Sequence, residues 1–558
     1  MASFDQFRIR NTGRVRRMSL GIGILLAVTA TTGFASERFR FLGFDEASLS
    51  PEAREGLYEV FMGRSELSSG LPLRLVEAMA EAEANRDLGY DPKSVVGKFF
   101  SSGALPSPPS RGVDESVSLG QVAFERDGAM FTTGNCFSCH AGMVKGIVVA
   151  GLGNNSVMQS PPRPEGTKPP NMLALLSALK TEAEREAVAK MMSRRREGRS
   201  VSPVLPETTS RGDNYGPFAV WAKGAQLTDP KNQGLVVGDG PAELVALIEE
   251  NMVPPVDPMA WWLMKYKVRD YWYGDGAPDD GAHFSFNFTG TGTVANEQHA
   301  AHVESTSKVL AYARETQAPT FPGALDAELV KKGADLFHGR SQPLDESTFR
   351  TCADCHGNYT RKAAYPDLST PGHWDVDYQG SEKLRSVGTD ATYNQIVQKF
   401  RPIAEHINTI AEYHEARDTA ELATVYDPLK GNGYVPPPLV GVWATAPYFH
   451  NGSVPTIATV LNSEERPEIW AREPSPYAYD LDRVGLKHTR LSREDYEARL
   501  DSAADAAYKS KESLGQMFVY DTAGYGRSNK GHPFGDSLTP DERAAVIEFL
   551  KSLSGPDM

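Results

Sequence analysis

The sequence predicts a mainly α fold, built as two similar domains around two copies of one short motif, with long irregular loops. The motif C-x-x-C-H occurs at residues 136–140 and again at 352–356, and its two copies use all four cysteines of the 558-residue chain. Amphipathic patterns at residues 326–337 and 539–553 predict helices near the start and the end of the second domain. The 50 glycines and 38 prolines indicate many loops between the helices.

C-x-x-C-H is the attachment signature of c-type haem. The two thiols of each copy bond to the haem vinyl groups, and the adjacent imidazole is the proximal ligand of the iron. The cofactor-binding residues predicted on this basis are Cys136, Cys139, His140, Cys352, Cys355 and His356. A zinc site would need four ligands for each ion, and it does not explain the histidine that follows both copies. We therefore expect two cytochrome c-like domains with two covalently attached haems, and no cysteine is left for a disulfide.

The net charge of the chain is −14, which argues against nucleic acid as a partner. The same acidic balance gives no reason to expect binding to an anionic membrane surface.

Residues 1–35 have the pattern of a signal peptide. A run of arginines precedes an apolar stretch at residues 20–30, and small residues follow at the positions that a signal peptidase reads. The apolar stretch is short for a transmembrane helix, although an uncleaved anchor is the alternative. We expect a periplasmic or secreted protein without stable membrane insertion after signal cleavage, which agrees with c-type haem.

The spacing of the two motifs predicts the domain organisation. His140 and His356 lie 216 residues apart (356 − 140), more than one small cytochrome domain needs. We therefore expect an inserted, aromatic-rich segment between the haem domains, whose aromatic residues form core, line a haem pocket or lie between the haems as electron relays. The predicted boundaries are an N-terminal extension at 36–115, a first haem domain with this insertion at 116–315, and a second cytochrome c-like haem domain at 316–558. In the second domain, Gly333 should let the first helix pack closely against the last.

The second axial ligand of each iron decides between electron transfer and catalysis, because a ligand on both faces leaves no position for a small molecule. For the second haem, the residues leave several candidates open: His450, His488, His532 and Met517. His532 lies in a glycine-rich loop that could approach a porphyrin closely. For the first haem, no histidine occurs between His140 and His283, which is compatible with an open face and favours catalysis.

Several segments carry a resemblance to a known family. Residues 436–456, PPPLVGVWATAPYFHNGSVPT, resemble the hallmark of the dihaem cytochrome c peroxidase superfamily. Within that superfamily the chain most resembles the rubber oxygenase branch of exported dihaem dioxygenases. The other matching features are Arg466-Pro467, Tyr479-Asp480, the Trp261-Trp262 segment and the loop at 528–532.

The resemblance implies unequal roles for the two haems. The first, carried by His140, would be the catalytic centre, with Trp261 or Trp262 near its distal face. The second would be held by His356 and His532 as an electronic partner. The chain departs from true peroxidases, which place a distal histidine soon after the first motif and a methionine ligand soon after the A-P-Y-F-H-x-G segment. Here no histidine occurs at 141–282 and no methionine at 451–516.

The function expected from these observations is a haem-dependent oxidoreductase. The leading hypothesis is an oxygenase that binds O2 at the first haem and oxidatively cleaves a small apolar organic substrate. The alternatives are a cytochrome c peroxidase that reduces H2O2 with electrons from a small redox donor protein, and a non-catalytic electron-transfer cytochrome. A calcium ion between the haem domains is a further candidate cofactor that the sequence leaves undecided.

Overall fold

A computed structural model describes residues 39–62, 70–84, 105–111, 118–155, 176–189, 254–269, 271–276, 281, 299–339, 351–407, 429–473, 475, 477–498 and 519–555. The predicted signal peptide and Met517 lie outside these residues. Residues 190–253, between the two motifs, also lie outside them. In the described part, no helix is both long and apolar enough to cross a membrane.

The helices are α1 (Pro51–Met62), α2 (Leu73–Ala84), α3 (Phe137–His140), α4 (His299–Glu315), α5 (Ala327–Phe337), α6 (Ala353–His356), α7 (Thr392–Ile407), α8 (Ile457–Val460) and α9 (Pro540–Ser552). Residues 182–189 and 493–498 are also helical. Short 3-10 turns occur at Glu46–Ser48, Pro109–Arg111, Trp261–Tyr266, Gly380–Glu382, Val442–Ala444, Ser463–Glu465 and Pro533–Gly535. The strands are β1 (Arg40–Leu42), β2 (Leu71–Pro72), β3 (Gln121–Arg126), β4 (Ala129–Gly134), β5 (Ala141–Val144), β6 (Ile147–Ala150), β7 (Asn358–Arg361), β8 (Trp374–Asp377), β9 (Ile469–Arg472), β10 (Tyr479–Asp480), β11 (Gly485–Leu486), β12 (His488–Arg490) and β13 (Val519–Asp521).

The prediction of a mainly α fold is wrong, because the structure mixes helices with several small sheets. The sheets have the strand orders β1-β6-β5, β2-β4-β3, β7-β8, β10-β11 and β12-β9-β13. Their strands are two to six residues long, which is too short for most of them to leave a clear alternation in the sequence. Some segments expected to be irregular loop are therefore paired strand.

Two tight hairpins flank the first motif. Asp127 and Gly128 join β3 to β4, and Lys145 and Gly146 join β5 to β6. All four residues have positive φ, the conformation that two-residue hairpin turns of type I′ require. Strand β4 ends and β5 begins on either side of α3, so the sheets hold the short motif helix at both ends.

Each motif has a pair of packed helices close to it. Helix α5 packs against α9, and α1 packs against α4. A glycine allows each close approach: a Cβ on Gly333 would overlap the Ala545 carbonyl, and one on Gly56 would overlap the Lys308 carbonyl. The close packing predicted at Gly333 is confirmed. The pairing of α1 with α4 places part of the predicted N-terminal extension beside the first haem segment, and the predicted domain boundaries themselves stay a prediction.

Two apolar cores separate at a pair of adjacent tryptophans. Trp261 belongs to the core that contains Phe137 of the first motif. Trp262 belongs to the core that contains Ala353 of the second motif. The 3-10 turn Trp261–Tyr266 therefore joins the surroundings of the two motifs.

We expect Gly333→Ala to destabilise the folded protein by about 1–3 kcal/mol, because the added methyl group meets backbone rather than a movable side chain. On a free helix face the same change would stabilise by about 1 kcal/mol. The midpoint of denaturant unfolding measures the difference. Lys331→Ala, on the exposed side of the same helix, is the control and should change little. A Gly333→Ala protein that is as stable as the parent would contradict the close contact.

Candidate haem-binding sites

Two buried asparagines fix the backbone of the first motif. Asn135 Nδ2 donates to the Leu119 carbonyl at 2.9 Å, and its Oδ1 accepts the Phe137 N–H at 2.9 Å. On the other side, Asn154 Nδ2 donates to the Ser138 carbonyl at 2.8 Å. Because both amides are buried, these hydrogen bonds hold α3 and its cysteine and histidine side chains in one orientation.

The imidazole of His140 is packed against an indole. Its ring centroid lies 5.1 Å from that of Trp261, with 23° between the ring planes. Burial lowers the pKa of His140 to about 4, so the ring is neutral at neutral pH, as an iron ligand must be. Its Nδ1 is buried and has no hydrogen-bond partner among the described residues. Burial also raises the pKa of the Cys136 thiol to about 12, so the free thiol would be protonated at neutral pH.

The imidazole of His356 is oriented by a backbone carbonyl. Its Nδ1 lies 2.7 Å from the Pro437 carbonyl oxygen, which can only accept, so Nδ1 carries the proton and Nε2 is free to ligate. Tyr359 supports this arrangement because its hydroxyl donates to the His356 carbonyl at 2.9 Å and accepts the Leu439 N–H at 2.7 Å. The second motif is thereby attached to residues 437–439, which follow it by about 80 positions.

His532 faces His356 across the second site. The two ring centroids lie 6.2 Å apart with 58° between the planes. Two metal–imidazole bonds of about 2 Å each, plus about 1 Å from each nitrogen to its ring centre, place two axial imidazoles about 6 Å apart. His532 has a left-handed backbone, with φ of 49°, and its N–H donates to the Val387 carbonyl at 2.7 Å. The pair therefore has the spacing that one iron between them requires.

Arg466 holds the loop that carries His532. Its guanidinium is buried and donates to the carbonyls of Asn529 and Gly531 at 2.9 and 2.6 Å. It also donates to the Thr459 carbonyl at 2.9 Å, which ties the loop to α8 and its N-cap. Because the cation satisfies carbonyls from two segments, it fixes the loop without help from regular secondary structure.

One largely apolar cavity connects the residues of the second site. Its walls include Leu439, Val440, Phe449, Val546 and Leu550. The polar or reactive groups that line it include Cys352, Cys355, His356, Arg385, His450 and His532. A porphyrin needs an apolar slot, two thiols for its vinyl groups and axial ligands at the metal. The residues of this cavity fit that group.

The two tryptophans take different positions. The backbone N–H of Trp261 donates to the Gly151 carbonyl at 2.8 Å, and the backbone N–H of Gly151 donates to the His140 carbonyl at 2.8 Å. These two bonds hold Trp261 beside the motif. Trp262 Nε1 donates to the Val440 carbonyl at 2.9 Å, on the side of the second site. Trp261 thus contacts the predicted proximal ligand itself, and the role of either tryptophan at a distal face stays a prediction.

The other candidate ligands are separated by the structure. His450 lines the second cavity, whereas His488 lies on β12 in a polar surface cleft that contains no motif cysteine. Met517 lies outside the described residues. No group of three or more thiol, imidazole or carboxylate side chains gathers as a metal site in the ranges described, and calcium stays a prediction. An axial imidazole pair needs no such group, because the porphyrin supplies the other four ligands.

The sequence interpretation missed Arg385 and Tyr434, which join the second site from two distant segments. Their backbones pair with each other: the Arg385 N–H donates to the Tyr434 carbonyl at 2.8 Å, and the Tyr434 N–H donates to the Arg385 carbonyl at 3.1 Å. The Tyr434 ring stacks on His450 with centroids 3.8 Å apart. No motif spacing marks such a pairing, because it is a single isolated bridge between loops.

We expect Tyr359→Phe to destabilise the protein by about 1–3 kcal/mol, because it leaves the buried Leu439 N–H and His356 carbonyl each without a partner. Tyr365→Phe is the matched control, since Tyr365 is 48% exposed. Denaturant midpoints of both holoproteins give the comparison. Equal midpoints would show that the hydroxyl does not connect the two segments.

Comparison with known families finds one match, and it lies within this site. Residues 433–471 match the family described as RoxA-like, cytochrome c-like. The matched segment contains Tyr434, Pro437, His450 and Arg466, which build one wall of the second cavity and hold its histidine loop. The match supports the resemblance to the rubber oxygenase type of cytochrome, and it does not extend to the wider dihaem peroxidase superfamily.

Two proteins of Sinorhizobium fredii (strain NBRC 101917 / NGR234) are similar to parts of the chain. The uncharacterized protein y4iJ is 26% identical over 281 residues, which cover 41% of this chain and 40% of that protein. The uncharacterized protein y4iM is 49% identical over 53 residues, which cover 10% of this chain and 12% of that protein. The chain thus matches two fifths or less of each relative. The RoxA-like segment, together with a site that fits the porphyrin, indicates a c-type cytochrome with covalently bound haem and a redox role.

Proposed function

We propose that this protein is an exported dihaem c-type cytochrome that uses the first haem to cleave a small apolar organic substrate with dioxygen. The observation that carries the proposal is the pair His356 and His532, whose ring centroids lie 6.2 Å apart. An iron between two imidazoles has no position for a small molecule, so the second site is reserved for electron transfer. Catalysis then belongs to the site of His140.

Covalent haem supplies an iron that exchanges electrons and, where one axial position is open, activates dioxygen. The chain's own contribution at the second site is rigidity. Pro437 holds the tautomer of His356, and Arg466 holds the loop of His532, so both imidazoles are fixed in position. A fixed ligand set keeps the reorganisation that accompanies electron transfer small.

The residues around His140 favour an apolar reaction. Its neighbours include Trp261, which itself contacts Phe137 at 5.9 Å and Tyr312 at 6.0 Å between ring centroids. Phe44 lies 5.3 Å from Phe137 in the same aromatic group. These aromatic neighbours give His140 largely apolar surroundings, which would suit oxygen chemistry on an apolar substrate.

The adjacent tryptophans support electronic coupling between the sites. Trp261 stacks on His140, while Trp262 is fully buried in the core of the second site. One peptide bond joins the two residues, so a short covalent path runs between the two apolar cores. We assign Trp261 and Trp262 to this path, in addition to the predicted contact of one of them with a distal face.

Product analysis with isotopic dioxygen tests the proposed activity. The holoprotein is incubated with 18O2 and a panel of unsaturated apolar hydrocarbons, and the products are analysed by mass spectrometry. Cleavage of a carbon–carbon double bond with one 18O atom in each carbonyl product is expected. Turnover only with H2O2 and a reduced cytochrome would instead indicate the peroxidase, and turnover with neither would leave an electron-transfer protein.

We expect His532→Ala to convert the second haem from low spin to high spin while both haems stay attached, because the thioether bonds do not depend on the axial ligand. Optical and magnetic resonance spectra measure the spin state, and intact mass measures haem content. His488→Ala is the control, since His488 lies in the separate polar cleft. An unchanged low-spin spectrum for His532→Ala would remove this residue from the ligand set.

A further inference from the structure

Among the described residues, three side-chain nitrogens in the wall of the second cavity lack a partner, and one of them, Nδ1 of His532, belongs to the proposed axial ligand. Arg385 Nε and His450 Nε2 are buried, and neither has a hydrogen-bond partner within the part of the chain that the structure describes. His450 as a whole is only 4% exposed. Leaving a buried nitrogen without a partner is destabilising, so the two nitrogens on Arg385 and His450 point to a ligand with acceptor oxygens.

The two side chains are held on one rigid unit. Arg385 and Tyr434 form a two-way backbone bridge, and Gly433 passes so close to Arg385 that a Cβ there would overlap its carbonyl. The Tyr434 ring stacks on His450, and its hydroxyl is anchored on the Asp390 carbonyl at 2.6 Å. The positions of Arg385 and His450 are therefore coupled through Tyr434.

The same unit borders the axial histidine loop. Val387, two residues after Arg385, accepts the backbone N–H of His532, and Val387 and Thr389 also line the cavity. Nearby carboxylates do not occupy the two nitrogens. Asp390 receives the Thr392 and Ser528 N–H groups at 2.9 and 3.0 Å. Asp257 lines the cavity as well, and it is not a hydrogen-bond partner of either nitrogen.

We propose that Arg385 and His450 bind a propionate carboxylate of the second porphyrin. The inference rests on the proposed second haem and goes beyond it, because it assigns residues to the polar edge of the group rather than to its iron. A guanidinium and an imidazole are a charge-assisted donor pair for a carboxylate. The apolar walls leave these nitrogens among the few donors that the propionates could use.

The test compares Arg385→Met and His450→Phe with Arg483→Met in the holoprotein. His450→Phe keeps a ring against Tyr434, while Arg483→Met removes one positive charge from a residue in the other cleft that pairs with Glu465. Resonance Raman spectra of the propionate bending modes and the midpoint potential of the second haem are the readouts.

Both cavity variants should shift the propionate modes, and Arg385→Met should lower the potential, because a cation beside the haem favours the reduced state. Arg483→Met should do neither, and Arg385→Lys should restore much of the potential.

Unchanged propionate modes in Arg385→Met and His450→Phe would overturn the assignment. A high-spin second haem in His450→Phe would overturn it too, because His450 would then be an axial ligand. The proposed function fails separately: a holoprotein that gives no 18O2 cleavage product but shows the expected shifts of the propionate modes keeps this clamp and loses the oxygenase. Where Arg385→Met does not fold, Arg385→Lys takes its place. It should keep the midpoint potential near that of the parent but still shift the propionate modes, because an amine replaces the Nε donor. Unchanged modes in this variant would overturn the assignment.

Discussion

The hydrogen bond from His356 Nδ1 to the Pro437 carbonyl is the contact on which the second site depends. It fixes which nitrogen faces the cavity, and it brings the segment after residue 433 against a motif more than 80 positions earlier. Tyr359 strengthens the same junction by bonding to both segments. Because the His356 imidazole is fixed, its distance from the His532 ring can be compared with the spacing of two imidazoles on one iron.

The remainder of the site is organised around that junction. The segment that matches the RoxA-like family supplies three of these contacts. The Pro437 carbonyl accepts from His356, His450 stacks on Tyr434, and Arg466 holds the loop of His532. These contacts use backbone carbonyls and buried side chains in place of long secondary elements. Such contacts can fix the relative positions of His356 and His532 in a region with many glycines and prolines.

Local patterns in the sequence predicted the parts of the protein that depend on local spacing. The two motifs, the helices α5 and α9 and the role of Gly333 follow from short periodic or fixed spacings. The sheets do not, because most of their strands have only two to four residues and leave little alternation, although Asp127-Gly128 is a recognisable hairpin turn between two six-residue strands. Arg385 could not be found either: its place in the site comes from one isolated bridge to Tyr434, and no residue pattern encodes such a pairing.

The two sites differ in the side chain that packs against the predicted proximal histidine. At the second site His532 lies 6.2 Å from His356 between ring centroids, where it would close the other face of an iron, while at the first Trp261 packs on His140. Titration of the chemically reduced holoprotein with carbon monoxide measures this difference directly. One carbon monoxide bound for every two haems is expected, with the second haem unchanged in its spectrum. No binding, or binding to both haems, would contradict the division of roles.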